Sequence, residues 1–174
     1  METKLQTLLE ELEKQRAELL AEIKNIPNEQ LNHHQTNKWS INQILGHLIT
    51  AEQLSIGYIN KKIKAIQEVD NTGIFGEVKL LLLIASQRLP LKYKAPKNLG
   101  DQPKTFPSLQ ALEQEWNTIR QELRTLLGNF SSSQLKKKIY KHPVMGRCNI
   151  VHALIFFREH IVHHSPQIEK LLKS

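Results

Sequence analysis

The chain reads as an all-α protein, a four-helix bundle with one short extra helix. Three observations predict this. Apolar residues recur at three- and four-residue steps through most of the sequence, the period of an amphipathic helix. Seven glycines and seven prolines sit mostly between those periodic stretches and punctuate them. No apolar–polar alternation runs for more than a few residues, so nothing reads as a half-buried strand.

The first helix is expected from about Glu2 to Asn25. Leu5, Leu8, Leu9, Leu12, Leu19, Leu20 and Ile23 form a single stripe, and Pro27 ends it. The second helix has the clearest start. Ser40 and Gln43 have the spacing of a capping box, and Trp39 and Ile44 that of a hydrophobic staple. Ile41, Ile44, Leu45, Leu48 and Ala51 share one face of this helix, which reaches about Ala65. A third helix is expected from about Phe75 to Leu89. Pro90 and Pro96 then open an irregular stretch to Pro107. The fourth helix starts near Ser108 and runs to about Leu127, with Gly128 as its C-cap. Ser131 and Gln134 cap a short extra helix, and His142 to Gly146 read as a turn. The last helix starts at the Asn149 N-cap and ends near Lys173. Four of these helices make the bundle, with one helical insert and no internal repeat.

The length of 174 residues suits one domain spanning 1–174, and such a chain buries roughly 70% of its unfolded surface. Hydrophobic residues at 40% and charged residues at 24% exclude a largely disordered chain. The single cysteine, Cys148, has no internal disulfide partner, which fits a reducing compartment. The longest apolar run, Leu80 to Ala85, is far below the ~20 residues a membrane-spanning helix needs. The charged N-terminal stretch METKLQTLLEELEKQ lacks a signal-peptide core, so a cytoplasmic protein is expected. The net charge of +7 raises the question of nucleic acid. Its clusters, Lys61, Lys62 and Lys64 and then Lys136, Lys137, Lys138 and Lys141, lack the interleaved aromatics of single-strand binders. They read as solvated faces, and nucleic acid is not an expected partner.

Eight histidines are the compositional oddity. In the last helix His160 and His164 are one turn apart, with Cβ atoms ~5–6 Å from each other. Two imidazoles at that spacing can reach one metal ion at ~2.1 Å each. The spacing alone is a weak signal, and the direction it faces says more. The arc centred on the pair also holds Ala153, Phe156, Phe157, Gln167 and Leu171, whereas Arg158, Glu159, Glu169 and Lys170 fall off its centre. Two inward imidazoles need partners. His47, on the ridge of Ile44 and Ala51, also points inward. Three inward histidines match the ligand count of a catalytic zinc-type site with an open position. Separate core histidines bonded to their neighbours are the competing reading.

Other candidates carry less. His163 and His152 fall at the edge of the apolar face, and His163 is a candidate supporting residue beside the ligands. His33 and His34 lie in a polar segment, and His142 sits in the turn before Pro143, expected near the rim of the site with no mechanistic role. Cys148 is about 18 Å along the helix axis from His160, too far to share a metal, and reads as a packed thiol. Glu52, just past His47, is a candidate base or ligand-orienting residue, with a plain surface position as the alternative, and Gln167, one turn after His164, is a candidate to bond a metal water or a histidine N–H.

Several stretches together resemble the DinB-like superfamily of bacterial four-helix-bundle metalloenzymes. They are Trp39-Ser40-Ile41-Asn42-Gln43-Ile44-Leu45-Gly46-His47-Leu48, His142-Pro143-Val144-Met145-Gly146, Glu159-His160 through His164, and Gln167-Ile168. Ala95-Pro96 and the helix with Arg120 add to them. Each motif is loose alone, but their order and spacing are specific and span nearly the whole chain. The resemblance implies a DinB-like bundle and a divalent ion, nickel or zinc, held by His47, His160 and His164 with water in the remaining positions. It implies either a hydrolase or an S-transferase using a low-molecular-weight thiol, and a homodimer. One departure is Ser165-Pro166, where relatives often carry Arg-Gly. Pro166 removes a bond to the Val162 carbonyl, and a kink there would shift His164. The phase of Gln167 and Ile168 predicts that the site survives.

The expected function is therefore a metal-dependent enzyme acting on a small molecule by hydrolysis or thiol transfer. The rival is a non-catalytic metal- or ligand-binding bundle.

Overall fold

A computed structural model describes residues 1–34, 36, 38–89 and 103–173. In chain order the helices are α1 (Thr3–Ile23), α2 (Asn28–Asn32), α3 (Ile41–Lys62), α4 (Ile74–Arg88), α5 (Leu109–Gly128) and α6 (Ile150–Leu172). Two short antiparallel strands, β1 (Tyr140–His142) and β2 (Gly146–Cys148), lie between α5 and α6.

Four long helices close a ring. α6 packs on α1 and on α3, and α3 packs on α5. The ring closes where α1 meets α5: Arg16 donates to Asn117 (2.6 Å) and Arg120 faces Glu13 at 3.7 Å. α4, the helical insert, packs on α6 as a fifth long helix. The stripe expected on α1 is the stripe that is buried: Leu5, Leu8, Leu9, Leu12, Leu19 and Ile23 enter the core, and Leu20 packs at its edge. Against them lie Ile44, Leu45, Leu48 and Ile49 of α3, Trp116 and Leu123 of α5, and Leu154, Phe157 and Ile161 of α6. Fully burying each such side chain contributes about 1.5–3 kcal/mol.

The caps follow the sequence. Ser40 and Gln43 form the capping box of α3, Ser108 accepts from the Ala111 amide, and Asn149 accepts from the His152 amide. Other boundaries shift. α3 ends at Lys62 and continues as a 3-10 segment, Ile63–Glu68, kinked at Ala65 (φ −101°, ψ 20°). Gly128 is the last residue of α5, and Asn129 is the cap with ordinary right-handed angles. The short helix expected after Ser131 is a single 3-10 turn, Ser132–Gln134, with its capping box in place.

Two elements were not foreseen. α2 is a five-residue turn following Pro27. The expected turn from His142 to Gly146 is the tip of a β-hairpin. Its arms are three residues each, too short for alternation to register. The tip is held by His142, whose Nδ1 accepts from the amides of Val144 (3.2 Å) and Met145 (3.0 Å), and by Gly146 at φ +78°.

The chain returns to the bundle at 103–108 by crossing α3. Asn42 pairs with Phe106 in both directions, donating to its carbonyl (2.8 Å) and accepting from its amide (3.0 Å). One turn along, Gly46 faces the Lys104 carbonyl so closely that a Cβ would lie 1.8 Å from its oxygen. The rest of the stretch expected to be irregular, residues 90–102, lies outside the described residues.

Candidate metal centre

His47 comes from the middle of α3, and His160 and His164 come from successive turns of α6. Packing of α3 on α6 brings the three rings into a near-equilateral triangle. Centroids are 4.9 Å apart for His47–His160, 5.1 Å for His47–His164 and 4.9 Å for His160–His164. One nitrogen from each ring falls within 4.8 Å of the others, and all three residues are buried. The closest approach, 3.1 Å, is between Nε2 of His47 and Nε2 of His160.

Burial dominates the electrostatics. It pulls His47 down to about 4, with His163 adding to the effect. It pulls His164 to about 3, helped by His47 and opposed by the Gln167 hydrogen bond. His160 is pushed well below its ordinary value by burial and then by the histidines around it. All three are therefore neutral near pH 7, and each ring keeps one lone pair. Nδ1–H of His164 donates to Oε1 of Gln167 (3.2 Å), which leaves the Nε2 lone pair free. α6 runs unbroken past Pro166, and His164 keeps its place in the triangle.

Aromatic rings wall the centre. Half-buried Trp39 lies 5.1 Å from His47, centroid to centroid. Phe156 stacks on His160 (5.0 Å, 21°) and meets the edge of His142 at 4.3 Å. His163 is partly buried, its Nδ1–H donating to the Gln87 carbonyl (2.8 Å) and its ring 4.9 Å from His164. It thus ties the end of α4 to the centre.

Glu159 departs from its expected place. It was expected off the apolar face but is fully buried. Arg88 of α4 donates to both of its oxygens (2.7 and 3.1 Å), and Arg158 adds two bonds to Oε1 (3.1 and 2.9 Å). Burial raises its carboxyl, but these guanidinium bonds outweigh that and hold it below the ordinary value. The physical reason is that α6 packs on three helices, α1, α3 and α4, so its buried arc is wider than one apolar face.

Three other candidates are spoken for elsewhere. Both oxygens of Glu52 are engaged away from the histidines, Oε1 by Arg120 (2.7 Å) and Oε2 by the Trp116 indole N–H (3.0 Å). Burial raises this carboxyl against the pull of those two groups. Cys148 is a packed thiol on β2, pushed up to about 12 by burial. His152 is buried and bonded to Glu77 (3.0 Å), deeper than its edge position predicted. Reading by helical phase missed the Trp39 contact, because phase does not carry across a helix start, whereas His142 lies against Phe156 at the rim, where its turn position put it.

A sequence comparison with curated proteins gives no significant match. Among solved structures the chain is similar to YfiT from Bacillus subtilis, at 15% identity and a TM-score of 0.59. The match covers 99% of this chain and 89% of that one. YfiT is described as a probable metal-dependent hydrolase with an unusual four-helix bundle topology, and likeness at this identity establishes the shared fold. The sequence model of the DinB superfamily matches residues 11–168, which include every histidine of the triangle. The chain belongs to the DinB superfamily.

Proposed function

We propose that His47, His160 and His164 hold one divalent metal ion, and that the protein is a metal-dependent enzyme, by preference a hydrolase, acting on a small molecule. One observation carries the reading: three buried, neutral imidazoles converge from two helices, with one nitrogen of each within 4.8 Å of the others. Tetrahedral ligands at ~2.1 Å from an ion stand ~3.4 Å apart, close to the 3.1 Å between His47 and His160. A three-nitrogen donor set suits zinc and nickel alike. Gln167 adds the outer hydrogen bond that fixes a ligating tautomer.

When bound, the ion supplies Lewis acidity, which polarises a substrate carbonyl or acidifies a water molecule. The rest is done by the chain. The neutral rings offer lone pairs without first losing a proton. Trp39 and Phe156 present apolar faces beside His47 and His160, shielding two sides of the centre from bulk water. The only thiol, Cys148, is buried and protonated, so the chain provides no sulfur nucleophile. Hydrolysis needs only water, whereas transfer would draw a diffusible low-molecular-weight thiol. The likeness to YfiT, a probable metal-dependent hydrolase, supports the first. We take residues 1–174 as one domain working in the cytoplasm, where a lone thiol stays reduced.

Elemental analysis of the wild type beside His160→Ala tests the centre. About one equivalent of transition metal, lost in the variant, is expected of a single three-ligand site. Esters and amides, each with and without an added thiol, then separate hydrolysis from transfer. Bound metal without turnover of any of them would leave a binding bundle. No metal after incubation with zinc and nickel would overturn the proposal.

A further inference from the structure

We propose that His142 is a binding subsite beside the histidine triangle, a fixed hydrogen-bond donor that takes a carbonyl oxygen of the substrate away from the bond being broken. The inference rests on the triangle being a metal centre. It narrows the small molecule to an acyl compound with a second, uncharged carbonyl.

The hairpin sets the tautomer. Nδ1 of His142 accepts from two backbone amides, those of Val144 (3.2 Å) and Met145 (3.0 Å). A nitrogen that accepts in this way carries no proton, so the neutral ring holds its proton on Nε2. Burial pushes His142 down to about 4, which keeps the ring neutral near pH 7. The residue is 5% exposed, a depth at which polar groups ordinarily have partners. Nδ1 has two, whereas Nε2–H has none among the described residues. Nor is Nε2 sealed in, as the orphaned Nδ1 of His152 is. The two nitrogens of an imidazole point in nearly opposite directions, so Nε2–H is turned away from the hairpin tip.

Its place is beside the centre. The ring meets Phe156 at 4.3 Å, and Phe156 stacks on His160 at 5.0 Å. These two steps keep His142 within about three residues of extended chain from a candidate ligand. His142 is also near enough to add to the charges that hold His160 neutral. The surroundings choose the acceptor. Phe156 and Met145 beside the ring are buried and apolar, while Lys141 and Arg147 of the same hairpin lie on its exposed side. A carboxylate here would lose its water without gaining a cation, but a carbonyl oxygen needs only the one N–H. A neutral imidazole with a fixed N–H suits that task, because it can polarise a carbonyl without giving up a proton.

Isothermal titration calorimetry of the zinc-loaded protein tests this with hydroxamates, which chelate zinc at one end. N-acetylglycine and N-acetylglycylglycine hydroxamates carry distal carbonyls. Pentanohydroxamate and octanohydroxamate match them in length without any. For at least one length, the preference for the acetylated ligand over its counterpart should fall about fivefold in His142→Asn, the worth of one hydrogen bond. Asparagine keeps an oxygen for the hairpin amides and removes only the outer donor. A second readout needs no variant. In wild type labelled with 15N-histidine, the long-range 1H–15N spectrum at pH 7 should show the His142 proton on Nε2, moved by the acetylated ligand and not by its counterpart. A proton on Nδ1, an unmoved Nε2 signal, or equal weakening of both members of each pair in His142→Asn overturns the inference and leaves the metal centre standing. Failure of zinc to bind overturns the metal centre, and this subsite with it.

Discussion

Gly46→Ala is a change whose sign the structure reverses. In an open helix interior this substitution gains about 1 kcal/mol, because alanine restricts the unfolded chain and favours the helix. At Gly46 the added Cβ would sit 1.8 Å from the Lys104 oxygen and 2.9 Å from its carbon. Ordinary contact begins at 3.4 Å, so α3 and the crossing chain must part by roughly 1.6 Å, the kind of overpacking that costs about 1–3 kcal/mol. The obstacle is backbone, held two residues later by the reciprocal Asn42–Phe106 pair. Loosening those buried bonds adds about 1 kcal/mol each. After the helix-propensity gain is subtracted, a net loss of about 3 kcal/mol is expected, or about 6–12 °C in Tm for a chain of this size. Gly57→Ala, on the same helix with nothing within 4 Å of the new methyl, is the control and should raise Tm. Differential scanning calorimetry on the two variants decides the matter. Equal or higher Tm for Gly46→Ala would refute the close crossing of 103–108 over α3.

Three further expectations follow from the geometry. Trp39 lies 5.1 Å from the His47 ring, so titration with nickel or cobalt should quench its fluorescence, with the quench lost in Trp39→Phe. Glu52→Gln removes the charge facing buried Arg120 and should lower stability by about 3 kcal/mol in urea titration. It should leave metal stoichiometry unchanged, and a lost metal would mean that Glu52 does support the ligands. Burial lowers His142 from 6.5 to about 4, so between those pH values the unfolded chain binds the proton and the folded chain does not. Stability should fall as pH drops through that window, at about 1.4 kcal/mol per pH unit from this residue, and level off below it. His142→Asn, which keeps an acceptor for the hairpin amides, should flatten the slope by that amount.

How much of this was legible in the sequence depended on the length over which each pattern repeats. The α1 stripe, the caps at Ser40, Ser108 and Asn149, and the inward phase of His47, His160 and His164 all rest on helical periodicity, and the structure keeps them. The triangle itself needed one more step, because phase says that a side chain points inward but not what it meets there. Where the pattern is short it fails. The three-residue arms of the hairpin and the five-residue α2 carry too few positions to show a period. Glu159 was misplaced for a different reason: a carboxylate reads as surface unless its cations are known, and Arg88 lies 71 residues away in sequence. For Glu52, proximity to His47 along the chain left base, orienting residue and surface all open, and a partner 68 residues away, Arg120, engages it in the core.

The ligands of the candidate centre are unevenly spaced along the chain. His160 and His164 are four residues apart, while His47 is 113 residues from His160. The α6 pair needs only that one helix to form, so its two nitrogens can come together before the bundle is complete. The third nitrogen arrives only when α3 has docked. An ion that takes all three nitrogens binds the folded chain in preference to the unfolded one, where the third is missing. Its preference for the folded chain is the difference between two ligands and three, and by linkage that difference is returned as resistance to unfolding. Chelate chemistry and folding cooperativity here are one equilibrium read from two ends.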